Sequence, residues 1–403
     1  MSGFTQIEEP LRRPPPLPPA GFALWQLGFR PFYLLASSFA ALSIALWALQ
    51  YAGLLAMPYL QGSLWHAHEM LFGFALAVIV GFLFTAGRNW SNQPTPTGAS
   101  LAALALLWLA ARVLVLTPYG WAAAAANVAF PLAAAMALAK AFLAARNRRN
   151  YFFVGLLLLM AAAALAVHLQ LLGAVALPAW VGIQLALDVV LFIMAVMAGR
   201  VVPMFTNNGV RGTRATRHAQ LERLALGSVL ALLLADLVQL PAPLLAAVAA
   251  VAAVAAVAHL ARWLLWQPWT TLRTPIVWVL HAAYAWIPVH LALRAAALLG
   301  WLPQAAAAHA LMVGAAGGLI IGMMTRTARG HTARPLRADG ADVACYALVL
   351  GAALVRVAVP LLMPAWNVGA VLLSAALWSA GFALYALRYG PVLVRPRLDG
   401  KPG

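Results

Sequence analysis

Histidine side chains within long apolar runs are the groups of this sequence best suited to bind a metal. His66 and His68 stand in the stretch Trp-His-Ala-His-Glu-Met, and His309 lies at the start of a later apolar run. His281 and His290 lie together in a third run. Ionisable groups in such runs usually face the protein interior, and neutral imidazole binds iron, copper and zinc. We therefore predict that these five histidines are the metal ligands.

The spacing around His66 restricts which side chains act together. On an α-helix, residues i and i+2 point about 200° apart, so His66 and His68 do not easily share one metal. Residues i and i+3 share a face, so Glu69 would orient His66 or carry protons. Asp188 is a second acid inside an apolar run, and it is the other predicted proton carrier.

Two of the histidines have matching surroundings. His68 and His309 are each followed by glycines at +5 and +13, namely Gly73, Gly81, Gly314 and Gly322. A haem with two imidazole ligands requires histidines at equal depth on facing helices, so we predict that His68 and His309 hold a haem. The glycines would admit the flat macrocycle, or they would serve close helix packing.

Three arginines lie near one end of their apolar runs: Arg112, Arg294 and Arg356. Arginine binds carboxylates through paired hydrogen bonds, so we predict that these residues hold the haem propionates. The alternative is that each side chain only reaches towards the membrane interface.

The composition indicates which class of protein positions these groups. Of 403 residues, 65% are apolar and 9% are charged, and the mean hydropathy is +0.89. Soluble domains have roughly 25% charged residues, so a soluble enzyme, a disordered chain and a nucleic-acid binder are excluded. The single cysteine, Cys345, excludes a disulfide framework and a thiolate zinc site.

The apolar runs predict an all-α polytopic membrane protein with about twelve transmembrane helices, because a span needs roughly 20 apolar residues. The predicted spans are 30–50, 64–86, 99–117, 120–144, 151–173, 178–200, 219–240, 242–265, 274–300, 304–324, 341–362 and 365–388. They form one domain, 30–390, between a proline-rich segment, 1–29, and a basic tail, 391–403.

Charge in the connecting loops predicts the orientation. The net charge is +17, and Lys and Arg concentrate at the termini and in alternate loops, while the other loops contain none. Positive loops stay in the cytoplasm. We therefore expect both termini to be cytoplasmic in a bacterial inner membrane, with the lipid bilayer and no nucleic acid as partner.

An internal repeat is a further hypothesis. Gly81, Gly199 and Gly322 each precede a polar loop, and they are 118 and 123 residues apart. This spacing indicates three units of four helices, in which the second, sixth and tenth helices are equivalent, although glycine-rich chains also produce it by chance.

Four segments resemble the signatures of the NnrS family. They are Gly28–Tyr33 (GFRPFY), Trp65–Met70 (WHAHEM), Gly199–Gly209 (GRVVPMFTNNG) and Gly322–His331 (GMMTRTARGH). The resemblance implies a haem- and copper-containing inner-membrane protein of denitrification and nitric oxide tolerance, with haem of the b type. It makes nitric oxide the expected ligand.

The twelve spans are also similar in architecture to subunit I of haem–copper oxidases and nitric oxide reductases. There, histidines on the second and tenth helices hold a haem, and the copper histidines lie on the sixth, seventh and tenth helices. Here the sixth and seventh spans have no histidine. The expected copper ligands are instead His66, His281 or His290.

Three functions remain open from the sequence. The first is an oxidoreductase that reduces nitric oxide with electrons from quinol or a separate donor. The second is a non-catalytic haem-based sensor or a metal-homeostasis protein. The third is a secondary transporter, although transporters favour inverted repeats and helices broken at the membrane midplane.

Overall fold

The computed structural model describes residues 21–401 and is 79% helical, with no strand in that range. Twelve long helices confirm the predicted all-α fold. They are α1 (Phe29–Tyr51), α2 (Gly62–Ser91), α3 (Gly98–Leu114), α4 (Gly120–Ala144), α5 (Tyr151–Leu171), α6 (Ala179–Gly209), α7 (Ala219–Leu237), α8 (Leu245–Leu265), α9 (Pro275–Leu298), α10 (Gln304–His331), α11 (Gly340–Leu362) and α12 (Asn367–Val394).

Ten of these helices are long and apolar enough to cross a membrane. The other two are α3, with 17 residues, and α7, whose 19 residues include Glu222, Arg223 and Asp236. Residues 1–20 of the predicted proline-rich segment lie outside the described range. Helix α12 continues to Val394, four residues beyond the predicted end of the membrane domain.

The twelve helices form a closed ring. Neighbours along the chain pack together, and α12 returns to pack against α1. The backbone N–H of Ala23 donates to the carbonyl of Val394 (2.8 Å), so the two ends of the described chain lie on one side of the bundle. We call this the terminal side.

Helices α2, α6 and α10 lie innermost. In their most apolar windows, 83% of α2, 78% of α6 and 67% of α10 is buried, against 61% or less in the seven other apolar helices. This arrangement agrees with the predicted equivalence of the second, sixth and tenth helices.

Both α2 and α10 contain a π-helical segment directly after a histidine. In α2 the segment is Glu69–Ala75, which follows His68, and in α10 it is Ala310–Gly317, which follows His309. Such segments are rare and frequently occur at functional sites, because the extra residue per turn re-aims the neighbouring side chains.

The four glycines at +5 and +13 serve helix packing. A Cβ atom at Gly314 would collide with the indole of Trp286, and one at Gly73 would lie 2.6 Å from the ring of Phe39. Gly81 and Gly322 are equally crowded by helix neighbours. Of the two roles that the sequence left open, the structure thus supports helix packing, since none of the four lines the cavity described next.

Candidate functional site

A cavity of about 570 Å³ lies between α1, α2, α6, α10, α11 and α12, on the side of the bundle away from the termini. Its volume is typical of a site for a small molecule or cofactor, and most of its wall is apolar or aromatic. The polar lining residues are Ser63, His66, Gln184, Gln304, His309, Arg356 and Ser374.

Two imidazoles face each other across this cavity. The ring centres of His66 and His309 are 6.1 Å apart, and their planes differ by 13°. Nδ1 of His309 donates to the carbonyl of Ala305 (2.6 Å), which leaves Nε2 with a free lone pair. The ring of His66 stacks on Trp47 at 4.9 Å, and its buried Nδ1 has no hydrogen-bond partner.

The distance between the two ring centres fits a metal held by two imidazoles. A metal–imidazole bond of about 2.0 Å on each side places two ring centres roughly 6 Å apart. The cavity between the rings has the volume and the apolar wall that a haem macrocycle needs. The buried Nδ1 of His66 has no hydrogen-bond partner among the described residues, which is also consistent with a ring that binds a cofactor.

His68 lies elsewhere, so the structure does not bring together His68 and His309 as predicted. His68 is fully buried and does not line the cavity. Its Nδ1 contacts Oε1 of Glu69 (2.7 Å), and its Nε2 lies 3.2 Å from Nε2 of His168. The two-residue spacing explains why His66 lines the cavity and His68 does not, because it directs the two side chains to opposite sides of α2.

A hydrogen-bonded chain extends from His68 in both directions. His168, which is not among the predicted metal ligands, bonds to the Tyr59 hydroxyl (3.0 Å) through Nδ1. Burial raises the pKa of Tyr59 to about 12, so this hydroxyl keeps its proton at neutral pH. At the other end, Arg112 donates to Glu69 (2.5 Å). Glu69 therefore orients His68 and not His66, and its role as a proton carrier stays a prediction.

The three predicted propionate-binding arginines differ in their partners. Arg112 is paired with Glu69, and Arg294 is paired with Asp188 and Asp236. Arg356 lines the cavity with His66 and His309, and it forms no ion pair within residues 21–401. Among the three, Arg356 is the cation available to an anionic ligand.

The other predicted metal ligands stay apart from the cavity. Nδ1 of His290 donates to the carbonyl of Ala307 (2.8 Å), and Nε2 of His281 contacts the Thr206 hydroxyl (2.8 Å). Across the described part of the chain, no group of three or more His, Cys, Asp or Glu side chains could hold a metal ion. The residues therefore do not assemble the expected copper site, and we derive no step through copper.

A comparison with known families finds one family model that matches nearly the whole chain. The model of a family described as "NnrS protein" matches residues 23–397, which include all twelve helices up to Val394. A search of curated proteins finds no match to the chain.

Proposed function

The chain belongs to the NnrS family, whose members are membrane proteins of the nitric oxide response, and from this premise we propose that it binds haem between His66 and His309. The observation that carries the proposal is the pair of facing imidazoles in a cofactor-sized apolar cavity. In this proposal the haem is of the b type. The single cysteine argues against covalent attachment through a cysteine pair.

The positive charge of Arg356 in the cavity wall also supports the proposal. An arginine without a carboxylate partner is costly in a mostly apolar site, and an anionic ligand would offset that cost. A haem brings two propionates, and Arg356 would bind one of them. This assigns to Arg356 alone the role that we had predicted for three arginines.

A bound haem would supply an iron that binds nitric oxide and exchanges electrons. The protein would control access to it. His309 is fixed by its hydrogen bond to Ala305, whereas His66 has no such bond, so His66 is the ring that can move aside for a diatomic ligand. The mostly apolar wall would admit a small apolar gas.

We place the protein in a bacterial inner membrane with its termini in the cytoplasm, on the basis of the positive loops. The cavity then opens towards the periplasmic half. Electrons would come from quinol or a separate donor, because the described chain contains no second redox domain.

The test is nitric oxide consumption by the reduced, purified, haem-loaded protein. Sustained consumption over many equivalents supports an oxidoreductase. Uptake of one equivalent per haem supports the sensor. If the wild-type protein purifies without haem and does not bind added haem, the proposal is wrong.

A further inference from the structure

A buried group of three charges lies beside the cavity, outside the haem site. Arg294 of α9 donates to Asp188 of α6 (2.5 Å) and to Asp236 of α7 (2.7 Å). Arg294 and Asp188 are 2% and 1% exposed, and Asp236 is 22% exposed. One guanidinium thus serves two carboxyl groups from two different helices.

The charges of this group do not balance. Two ionised carboxylates and one guanidinium would leave one net negative charge in an apolar bundle, which is strongly unfavourable. The charged groups that face Asp188 are Arg294 and Asp236. No further cation within the described residues compensates the second carboxylate.

The geometry offers a proton as the missing positive charge. One guanidinium bridges the carboxyl groups of Asp188 and Asp236, so the two acids lie around a single cation. Oδ2 of Asp188 is buried and has no hydrogen-bond partner among the described residues, and a proton on this carboxyl group would reduce the cost of burying it. Closely spaced carboxylates in other proteins share a proton for the same reason.

This pair has contacts on two sides. Towards the cavity, Nε2 of Gln184 donates to Oδ1 of Asp188 (3.4 Å), and Gln184 itself lines the cavity. Away from the cavity, Asp236 is partly exposed and lies one residue before the end of α7 at Leu237. The pair therefore lies between the end of α7 and the cavity.

We propose that Asp188 and Asp236 hold one shared, exchangeable proton, positioned by Arg294, and that this pair donates protons to chemistry in the cavity. In the donating step a carboxyl O–H bond breaks as a basic oxygen or nitrogen atom of a ligand in the cavity binds the proton, and a proton from solvent then forms a new O–H bond at Asp236. The donor role rests on the proposed function, but the proton-holding site does not.

Infrared spectroscopy of the purified protein at neutral pH tests the site without any need for haem. We expect a C=O stretching band of a protonated carboxyl group that shifts in D₂O. Asp188→Asn and Asp236→Asn should each abolish it, since either change leaves one carboxylate for one guanidinium. Asp399→Asn, in the exposed tail, should leave the band unchanged.

Absence of the band in the wild-type protein, or its survival in both variants, would overturn the proposal. Size-exclusion profiles and helical circular dichroism identify a variant that fails to fold, and Arg294→Lys provides a second test. That variant keeps the charge and should retain the band but shift its frequency, because the paired hydrogen bonds to both carboxyl groups are lost. An unshifted band in Arg294→Lys would contradict the positioning role of Arg294.

Discussion

The imidazole rings of His66 and His309 face each other at a centre-to-centre distance of 6.1 Å, although 243 positions separate them in the sequence. They come from α2 and α10, two of the three innermost helices, and a π-helical segment follows closely in each case. Both rings line the same cavity, and the proposed haem site depends on them.

Replacing Arg356 should weaken haem binding. A hydrogen bond to a charged group contributes about 1.5–3 kcal/mol, so Arg356→Leu should lower haem affinity by about 10- to 100-fold. Titration of haem into the haem-free protein measures this. Arg211→Leu, in an exposed loop, is the control and should bind haem as the wild-type protein does. Equal affinity in Arg356→Leu would exclude a propionate contact.

Breaking the buried pair of Arg112 and Glu69 should destabilise the fold. Arg112→Leu leaves the Glu69 carboxylate without its cation, which should lower the free energy of unfolding by about 3–5 kcal/mol. The double variant Arg112→Leu with Glu69→Gln should recover part of this loss, because no unpaired charge remains. Denaturant unfolding in detergent measures both. A single variant as stable as the wild-type protein would show that the pair contributes nothing.

Gly199 should not tolerate a side chain. A Cβ atom there would overlap the guanidinium of Arg262, which donates to Glu222 (2.8 and 2.7 Å) and to the carbonyl of Ala195 (2.9 Å). Gly199→Ala should therefore cost about 1–3 kcal/mol of stability. Gly155→Ala is the matched control, because its Cβ meets nothing within 4 Å, and it should be neutral or stabilise by about 0.5–1 kcal/mol. Similar unfolding curves for the two variants would contradict this packing.

Acid should weaken the start of α11, the helix that carries Arg356. Asp339 accepts from the backbone N–H groups of Ala341 and Asp342 in a capping box. Burial acts to raise the pKa of Asp339, but the Asp342 N–H and the guanidiniums of Arg388 and Arg329 outweigh it and lower that pKa.

Because the folded pKa is depressed, this stabilisation is complete above the unfolded pKa of about 3.9 and is lost as the pH falls through the lower folded value. Asp339→Ala should cost about 0.5–2 kcal/mol at pH 7 and should decline less on acidification. Unfolding free energies measured across this range provide the check. A variant that declines as steeply as the wild-type protein would exclude this contribution.

Hydropathy and helix-breaking residues predicted the twelve helices, because most apolar runs are bounded by prolines or glycines such as Pro118 and Pro178. Glycine spacing predicted that the second, sixth and tenth helices are equivalent, and these three are the most buried of the apolar helices. Gly81 and Gly322 pack closely against neighbouring side chains. These features follow from local sequence.

The site itself was predicted only in part. His66, His309 and Arg356 were identified as candidates, but the choice of His68 over His66 depended on helix phase near a π-helical segment, which no local pattern revealed. The partners of Arg112 and Arg294 were also missed. Asp188 lies 106 residues from Arg294, and only the tertiary fold brings them together.

Electron paramagnetic resonance of the oxidised, purified protein tests the central claim most directly, because it distinguishes haem iron with two imidazole ligands from iron with one. We predict a low-spin, two-imidazole signal that is lost in His66→Ala and in His309→Ala and is retained in His68→Ala and His218→Ala. A signal that survives in both of the first two variants, or that is lost only in His68→Ala, would contradict the assignment of haem to His66 and His309.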